Sequence, residues 1–182
     1  IHQFQTNPNT ENPLVLNTLN TITAINTIIR IETIDNDLWG SVISSTAGDL
    51  ALNLAARIDA SYNGQGGLQF SATGDNLGAL GVLADVTAIG NEAADGILAT
   101  CASANGGAAL LALSTDALRP AAAVLGEEFL DGPFVIPGDP FGPIVASGNA
   151  GNGFSAIVNG FDFAAALVMD AQANGNTLDG FN

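Results

Sequence analysis

The stretch that decides the predicted fold spans residues 37–62 and reads DLWGSVISSTAGDLALNLAARIDASY. Its large apolar residues recur every three to four positions or in neighbouring pairs, as on one face of a helix. They are Leu38, Val42, Ile43, Leu50, Leu54 and Ile58. We therefore predict a helix over 37–62, weakened at Gly40 or Gly48 and ended by the glycine-rich residues 63–67.

Segments on both sides of this stretch show a similar spacing of apolar residues. We predict further helices over 13–34, 75–103, 108–118 and 154–173, and a long Pro/Gly-rich loop over 131–153. No repeat of 20–50 residues is evident. The predicted fold class is all-α, a compact bundle of five or six helices. A β-rich fold is the alternative, because Gly, Thr, Ile and Val are plentiful and residues 28–34 alternate as a strand does.

The length and composition predict a single domain. The chain has 182 residues, of which 47% are hydrophobic, so it is able to bury a core. We divide it into an extended arm over 1–12, a helical core over 13–173 and a polar tail over 174–182. No apolar run is long enough for a transmembrane helix. The start at Ile1 instead of Met fits a processed, secreted chain.

The charge balance excludes two classes of partner. The positive residues are Arg30, Arg57 and Arg119, there is no lysine, and the net charge is −15. Nucleic-acid affinity comes largely from Lys and Arg neutralising phosphates. Anionic membranes likewise attract basic segments. We expect neither nucleic acid nor an anionic membrane as a partner.

Few residues are suited to catalysis. The single histidine, His2, lies in the arm, and without lysine there is no Schiff-base chemistry. One His and one Cys do not supply a usual zinc site. Residues 35–37 (Asp-Asn-Asp) resemble the start of a calcium loop but lack its later ligands. We predict no catalytic residue, no metal, no cofactor and no enzymatic activity; an enzyme using carboxylates of the 127–141 region is the alternative considered.

Phenylalanines and the cysteine are the candidate interaction residues. Nine Phe are present and they concentrate late in the chain. The candidate interaction or apolar-ligand surface comprises Phe129, Phe134, Phe141, Phe154 and Phe161, for which burial in the core is the alternative. Cys101 has no partner within the chain, so it is either buried or a candidate for an intermolecular disulfide.

These features together favour a structural function. A lysine-free surface with few charges is suited to packing against copies of itself. We predict a secreted, extracellular structural protein of the silk, egg-coat, foam or cuticle type, with itself or another extracellular structural protein as partner. The alternative is a carrier of apolar small molecules or lipids in a cavity lined by Phe, Ile and Leu.

Overall fold

The computed structural model describes residues 4–6, 14–114 and 143–182, and every regular element in them is a β-strand. The predicted helical bundle is therefore wrong, as is the helical core over 13–173, and the β-rich alternative is the correct class. The strands are β1 (Phe4–Thr6), β2 (Leu14–Asn20), β3 (Thr23–Thr33), β4 (Ser41–Ala47), β5 (Leu50–Asp59), β6 (Leu68–Gly74), β7 (Gly78–Thr87), β8 (Ile97–Ser103), β9 (Gly107–Leu113), β10 (Ile144–Val145), β11 (Phe154–Gly160), β12 (Ala164–Val168) and β13 (Ala171–Gln172).

The strands stack in parallel to form a β-solenoid of five described coils. Each strand pairs with the strand one coil further along the chain, so Leu14 pairs with Ser41 and Ser41 with Leu68, at intervals of 27 residues. Later intervals are 29 residues from Leu68 to Ile97 and 57 from Ile97 to Phe154. The longest interval contains residues 115–142, which lie outside the described residues.

Every coil has three straight segments, which stack into three faces. Face one is the five-stranded sheet β2-β4-β6-β8-β11. Face two contains the first parts of β3, β5 and β7 together with β9 and β12. Face three contains β1, the last residues of β3, β5 and β7, and the short strands β10 and β13.

A left-handed residue forms the corner between faces two and three. Arg30, Arg57, Asp85 and Asp170 occupy this corner with φ between 51° and 61°. This conformation is costly for residues other than glycine and turns the chain sharply. A second left-handed position follows face three, at Asp35 and Tyr62 in the first two coils and at Gly90, Gly148 and Gly175 in the later ones.

The core is a column of small and branched side chains that runs along the solenoid axis. In face two, Ala24, Ala51, Ala79 and Ala108 stack in register and are buried. Face one contributes Ile43, Leu68, Phe70 and Ile97, and face three contributes Ile31, Ile58, Val86 and Ile144. This column of alanines leaves room for the larger side chains opposite, which explains why alanine occupies these four positions.

The helix predictions are wrong because the apolar residues of two successive strands were taken for one face of a single helix. In residues 37–62 the strands β4 and β5 are separated by a turn at Gly48 and Asp49. Within each strand inward residues alternate with outward ones, and outward residues such as Leu54 are also apolar. Apolar residues on both sides of a strand, interrupted by turns, produce spacings of three and four.

Candidate assembly surfaces

An asparagine ladder follows face three and ties successive coils together. Its members are Asn36, Asn63, Asn91, Asn149 and Asn176. In each step the backbone N–H and the Nδ2 of one asparagine donate to the Oδ1 of the next, at 2.8–3.2 Å. The first four are buried. Within the described residues, the Oδ1 of Asn36 is buried without a hydrogen-bond partner.

Two more asparagines bridge faces one and two inside the first coils. The Nδ2 of Asn26 donates to the carbonyl of Ser44 at 2.8 Å and to the Oδ1 of Asn53 at 2.9 Å. Asn53 in turn donates to the carbonyl of Ser71. Beyond these coils the same column continues as Gly81 and Leu110. Buried amides that are fully bonded across coils select one stacking register.

The outer side of face two is apolar along the whole described solenoid, and we call it the apolar face. It consists of two rows of outward side chains in register. The first row is Ile25, Leu52, Leu80, Ala109 and Ala165, and the second is Thr27, Leu54, Val82, Leu111 and Leu167. None of these residues is charged, and Ile25, Leu80 and Leu167 are 55%, 38% and 51% exposed. A contiguous patch of this kind marks an interaction surface more often than scattered apolar residues do.

The last full coil, formed by β11, β12 and β13, is the terminal coil. Residues 180–182 pair with the first residues of β11, whereas among the described residues the outer edge of β12 is free. Strand β12 pairs with β9 on one side, and its residues Ala164, Ala165, Ala166 and Leu167 are all exposed. Ala166 lies in register with Leu110, which is buried, so it belongs to the inner column. An exposed strand edge is a template for pairing with another strand.

The predicted phenylalanine surface does not come together in the described residues. Phe154 is buried and packs against Phe181 with ring centroids 6.3 Å apart, so it belongs to the core of the terminal coil. Phe161 is 77% exposed on the turn between β11 and β12. Phe129, Phe134 and Phe141 lie outside the described residues. Leu54, Leu80 and Val82 were not predicted as surface residues, because their outward position becomes evident only from the strand register.

Segments assigned to the arm, the loop and the tail contribute to the solenoid. Residues 4–6 of the arm pair with 31–33 of face three. The predicted loop over 131–153 includes β10, whereas its residues 131–142 lie outside the described residues. The tail provides Asn176 of the ladder and Phe181. Asp35 and Asn36, which resemble the start of a calcium loop in sequence, are a left-handed residue and the first ladder asparagine.

Cys101 lies in the core with a free thiol. Its inward position on face one places it beside Phe70 and Gly81, and a Cβ on Gly81 would meet its Sγ at 2.7 Å. Burial raises the pKa of the Cys101 thiol to about 11. A thiolate is needed for disulfide exchange, so this geometry gives no support to the candidate intermolecular disulfide.

A groove of about 460 Å³ crosses the turns between faces one and two. Its walls are small and polar side chains of successive coils: Thr46, Ala47, Thr73, Asp75, Ala102, Ser103, Ala104 and Asn159, together with Gly74. The carrier hypothesis requires a cavity lined by Phe, Ile and Leu. This groove lacks such a lining and gives that hypothesis no support.

Two carboxylates stand side by side on the outer surface of face three. Glu32 and Asp59 are register partners in β3 and β5, and the Oγ of Ser61 donates to Asp59 Oδ1 at 2.6 Å. Burial raises the pKa of Asp59, the hydrogen bond from Ser61 opposes this, and the charge of Glu32 adds to it. The folded state therefore binds the proton of Asp59 more tightly than the unfolded chain does.

We expect Asp59→Asn to stabilise the protein at pH 7 and to lose this effect in acid. The raised pKa means that stability falls as pH rises from about 3.8, the ordinary value, through the folded pKa. Asp59→Asn does not suffer this fall in stability, so it is more stable than wild type at pH 7. Below pH 3.8 it has no advantage, because Asp59 of wild type is protonated in both the folded and the unfolded state. Urea midpoints of wild type and variant at pH 7 and pH 3 measure this, with the exposed Asp75→Asn as the control. An Asp59→Asn variant that is less stable than wild type at pH 7 contradicts the expectation.

The described part of the chain contains neither a cluster of metal-ligating side chains nor a membrane-spanning helix. Residues 4–6, 14–114 and 143–182 contain no group of three or more His, Cys, Asp or Glu side chains placed to hold a metal ion. The same residues form no helix with the length and apolar character needed to span a bilayer.

The architecture defines the chain as a parallel β-solenoid. In comparisons with known proteins, no family model, no curated protein and no solved structure matches it.

Proposed function

We propose that this protein is a secreted, non-enzymatic structural component of an extracellular material, which associates with copies of itself. The observation that carries the proposal is the terminal coil. Among the described residues its strand β12 has a free edge, although residues 180–182 cover the start of β11, and the inner-column residues Ala164 and Ala166 are exposed. Another coil stacked there would repeat the parallel pairing that already joins β9 to β12.

The composition supports the same proposal. A solenoid gains stability from each interface between neighbouring coils, so adding a coil from a second copy extends an arrangement the chain already uses. The net charge of −15 opposes association near neutral pH, and the absence of lysine leaves few partners for these acids. Acidification toward the isoelectric point of about 4.1 removes this repulsion.

We expect particle size to rise with protein concentration and to rise further as the pH falls from 7 toward 4. Sedimentation velocity on the full chain, at several concentrations and pH values, measures this. The dependence of particle size on salt is a second readout. Salt screens the repulsion between like charges, so it favours association as acidification does. A chain that stays monomeric from pH 7 to 4 at high concentration overturns the proposed function.

The Ala166→Lys variant tests whether the terminal coil is the surface on which another copy stacks. A lysine in the inner column of the open end obstructs stacking of another coil, as inward charges do on natural edge strands. We expect this variant to assemble less than wild type, whereas Asn174→Lys, on an exposed turn of the same coil, assembles as wild type does. The two variants carry the same positive residue, so a difference between them reports the position and not the charge.

A further inference from the structure

Five Asn-Gly pairs occur in the chain, and the fold places them in different surroundings. In such a pair the backbone nitrogen of the glycine is able to attack the side-chain carbonyl carbon of the asparagine, because glycine has no Cβ to obstruct the approach. The attack needs an amide side chain and a glycine N–H that other groups do not hold. The pairs are Asn63-Gly64, Asn105-Gly106, Asn152-Gly153, Asn159-Gly160 and Asn174-Gly175.

The pair Asn63-Gly64 is held by the asparagine ladder. The Oδ1 of Asn63 accepts two hydrogen bonds from Asn36, and its Nδ2 donates to the carbonyl of Thr33 and to Asn91. The N–H of Gly64 donates to the carbonyl of Asn36 at 2.7 Å. Asn63 is also buried. Attack at this pair therefore requires local unfolding of the coil, in which these bonds open together.

Three further pairs have a glycine whose backbone is restrained. Gly106 is buried, and its N–H donates to the Oγ of Ser103 at 3.0 Å. The N–H of Gly153 donates to the carbonyl of Asp179 at 2.9 Å. Gly160 belongs to strand β11, where it pairs with Ser103 of β8. In each of these pairs the glycine has to leave its place in the fold before its nitrogen is able to attack.

The pair Asn174-Gly175 follows β13 and lacks these restraints. Both residues are exposed, and Gly175 has the left-handed φ of 66°. Within the described residues, neither the side-chain amide of Asn174 nor the N–H of Gly175 has a hydrogen-bond partner. A Cβ built on Gly175 would have no atom within 4 Å, so solvent surrounds this glycine. The backbone of Asn174 is held, since its N–H donates to the Oγ of Ser147 at 3.1 Å and its carbonyl accepts from Gly148 at 2.9 Å.

We propose that Asn174-Gly175 is a site of spontaneous deamidation, which reacts ahead of the other four pairs while the protein is folded. The nitrogen of Gly175 forms a bond to the Cγ of Asn174, and the C–N bond of the side-chain amide breaks. The amide nitrogen leaves as ammonia and takes the proton that the glycine nitrogen loses. Water then opens the succinimide at one of its two carbonyls and gives aspartate or isoaspartate. The modification does not depend on whether copies of the chain associate.

Isoaspartate at position 174 also affects the end of the asparagine ladder. It lengthens the backbone by one carbon between Asn174 and Gly175, next to the ladder residue Asn176. The Oδ1 of Asn176 accepts the backbone N–H of Asn149 at 2.9 Å and its Nδ2 at 3.0 Å. Because the anchored backbone of Asn174 sets where Asn176 lies, the longer chain displaces this acceptor. The last step of the ladder is then weakened, whereas aspartate at the same position leaves the backbone unchanged.

The test incubates the folded full chain in mildly alkaline buffer and follows all five pairs by peptide mass spectrometry, which separates the acid from the lighter amide. We expect Asn174 to convert at least about 10-fold faster than Asn63, because Asn63 reacts only through local opening. In concentrated urea the hydrogen bonds are lost, and the rates of the five pairs converge. Conversion of Asn63 or Asn105 as fast as that of Asn174 in the folded protein overturns the proposal. No conversion of Asn174 in folded protein, at a pH where the urea sample converts, also overturns it.

Two variants complete the test. Asn174→Gln changes an exposed side chain and requires a larger ring for the same attack, so we expect the fastest conversion to disappear from the folded protein. Asn174→Asp carries the charge of the product on a normal backbone. We expect the Asn149 amide to exchange its hydrogen faster in the aged protein than in Asn174→Asp. Equal exchange in the two samples overturns the effect on the ladder.

Discussion

Replacing Asn63 by alanine lowers the free energy of unfolding by about 3–6 kcal/mol, because it leaves several buried polar groups without partners. The Oδ1 of Asn63 accepts the backbone N–H and the Nδ2 of Asn36, and its Nδ2 donates to the carbonyl of Thr33 and to Asn91. Asn63 and Asn36 are both buried, so water does not replace these bonds. For a domain of marginal stability this is a large part of the total.

Urea unfolding followed by circular dichroism measures the effect, with Asn159→Ala as the control. Asn159 is an exposed residue on the outer side of face one. Asn63→Asp separates the roles of the two side-chain atoms, since it keeps an acceptor and loses the donor. We expect that variant to be strongly destabilised at pH 7, where it buries a carboxylate, and less so in acid. A free energy of unfolding for Asn63→Ala within about 0.5 kcal/mol of the wild-type value contradicts the ladder as a source of stability.

Replacing Phe70 by alanine lowers the free energy of unfolding by about 3–5 kcal/mol. Phe70 is among the largest fully buried side chains of the described residues. A Cβ built on Gly81 would meet its Cε1 at 2.8 Å, so the ring fills the space that the glycine leaves open. Removal of the ring creates a cavity that the stacked strands on both sides keep from collapsing.

The matched control is Phe161→Ala, because this ring is exposed and its loss changes stability by less than about 1 kcal/mol. A double-mutant cycle with Gly81→Ala tests the cavity directly. In wild type the new methyl group clashes both with the ring and with the Sγ of Cys101, whereas in Phe70→Ala the clash with the ring is removed. We expect Gly81→Ala to be less destabilising in the Phe70→Ala background. Equal costs in both backgrounds contradict the packing described above.

Several elements of the solenoid are visible in the sequence once its period is known. The ladder asparagines occur at 36, 63, 91, 149 and 176, and a glycine or another left-handed residue precedes each of them. The repeat was missed because the coils share few identical residues. Their inner columns vary, as at Asn26, Asn53, Gly81 and Leu110, and the coil length changes from 27 to 29 residues.

The positions of the candidate site residues also could not be predicted from the local sequence. Phe154 and Phe161 have similar sequence neighbourhoods, yet one ring is buried and the other is exposed. Their positions follow from the strand register and from the turn at residues 161–163, which are set by pairing with β8 and β9. Leu80 and Leu83 are likewise both apolar, and only the alternation within β7 places one outward and the other in the core.

The sequence by itself determined the composition of this protein: an acidic, lysine-free chain with a single cysteine and enough apolar residues for a core. These properties are sums over residues and do not depend on conformation. Only the tertiary structure decided the fold class, the apolar face and the terminal coil. Strand pairing between residues 27 or more apart fixes which apolar side chains face inward, and a shift by one residue would exchange the two sides. Local spacing does not contain that information.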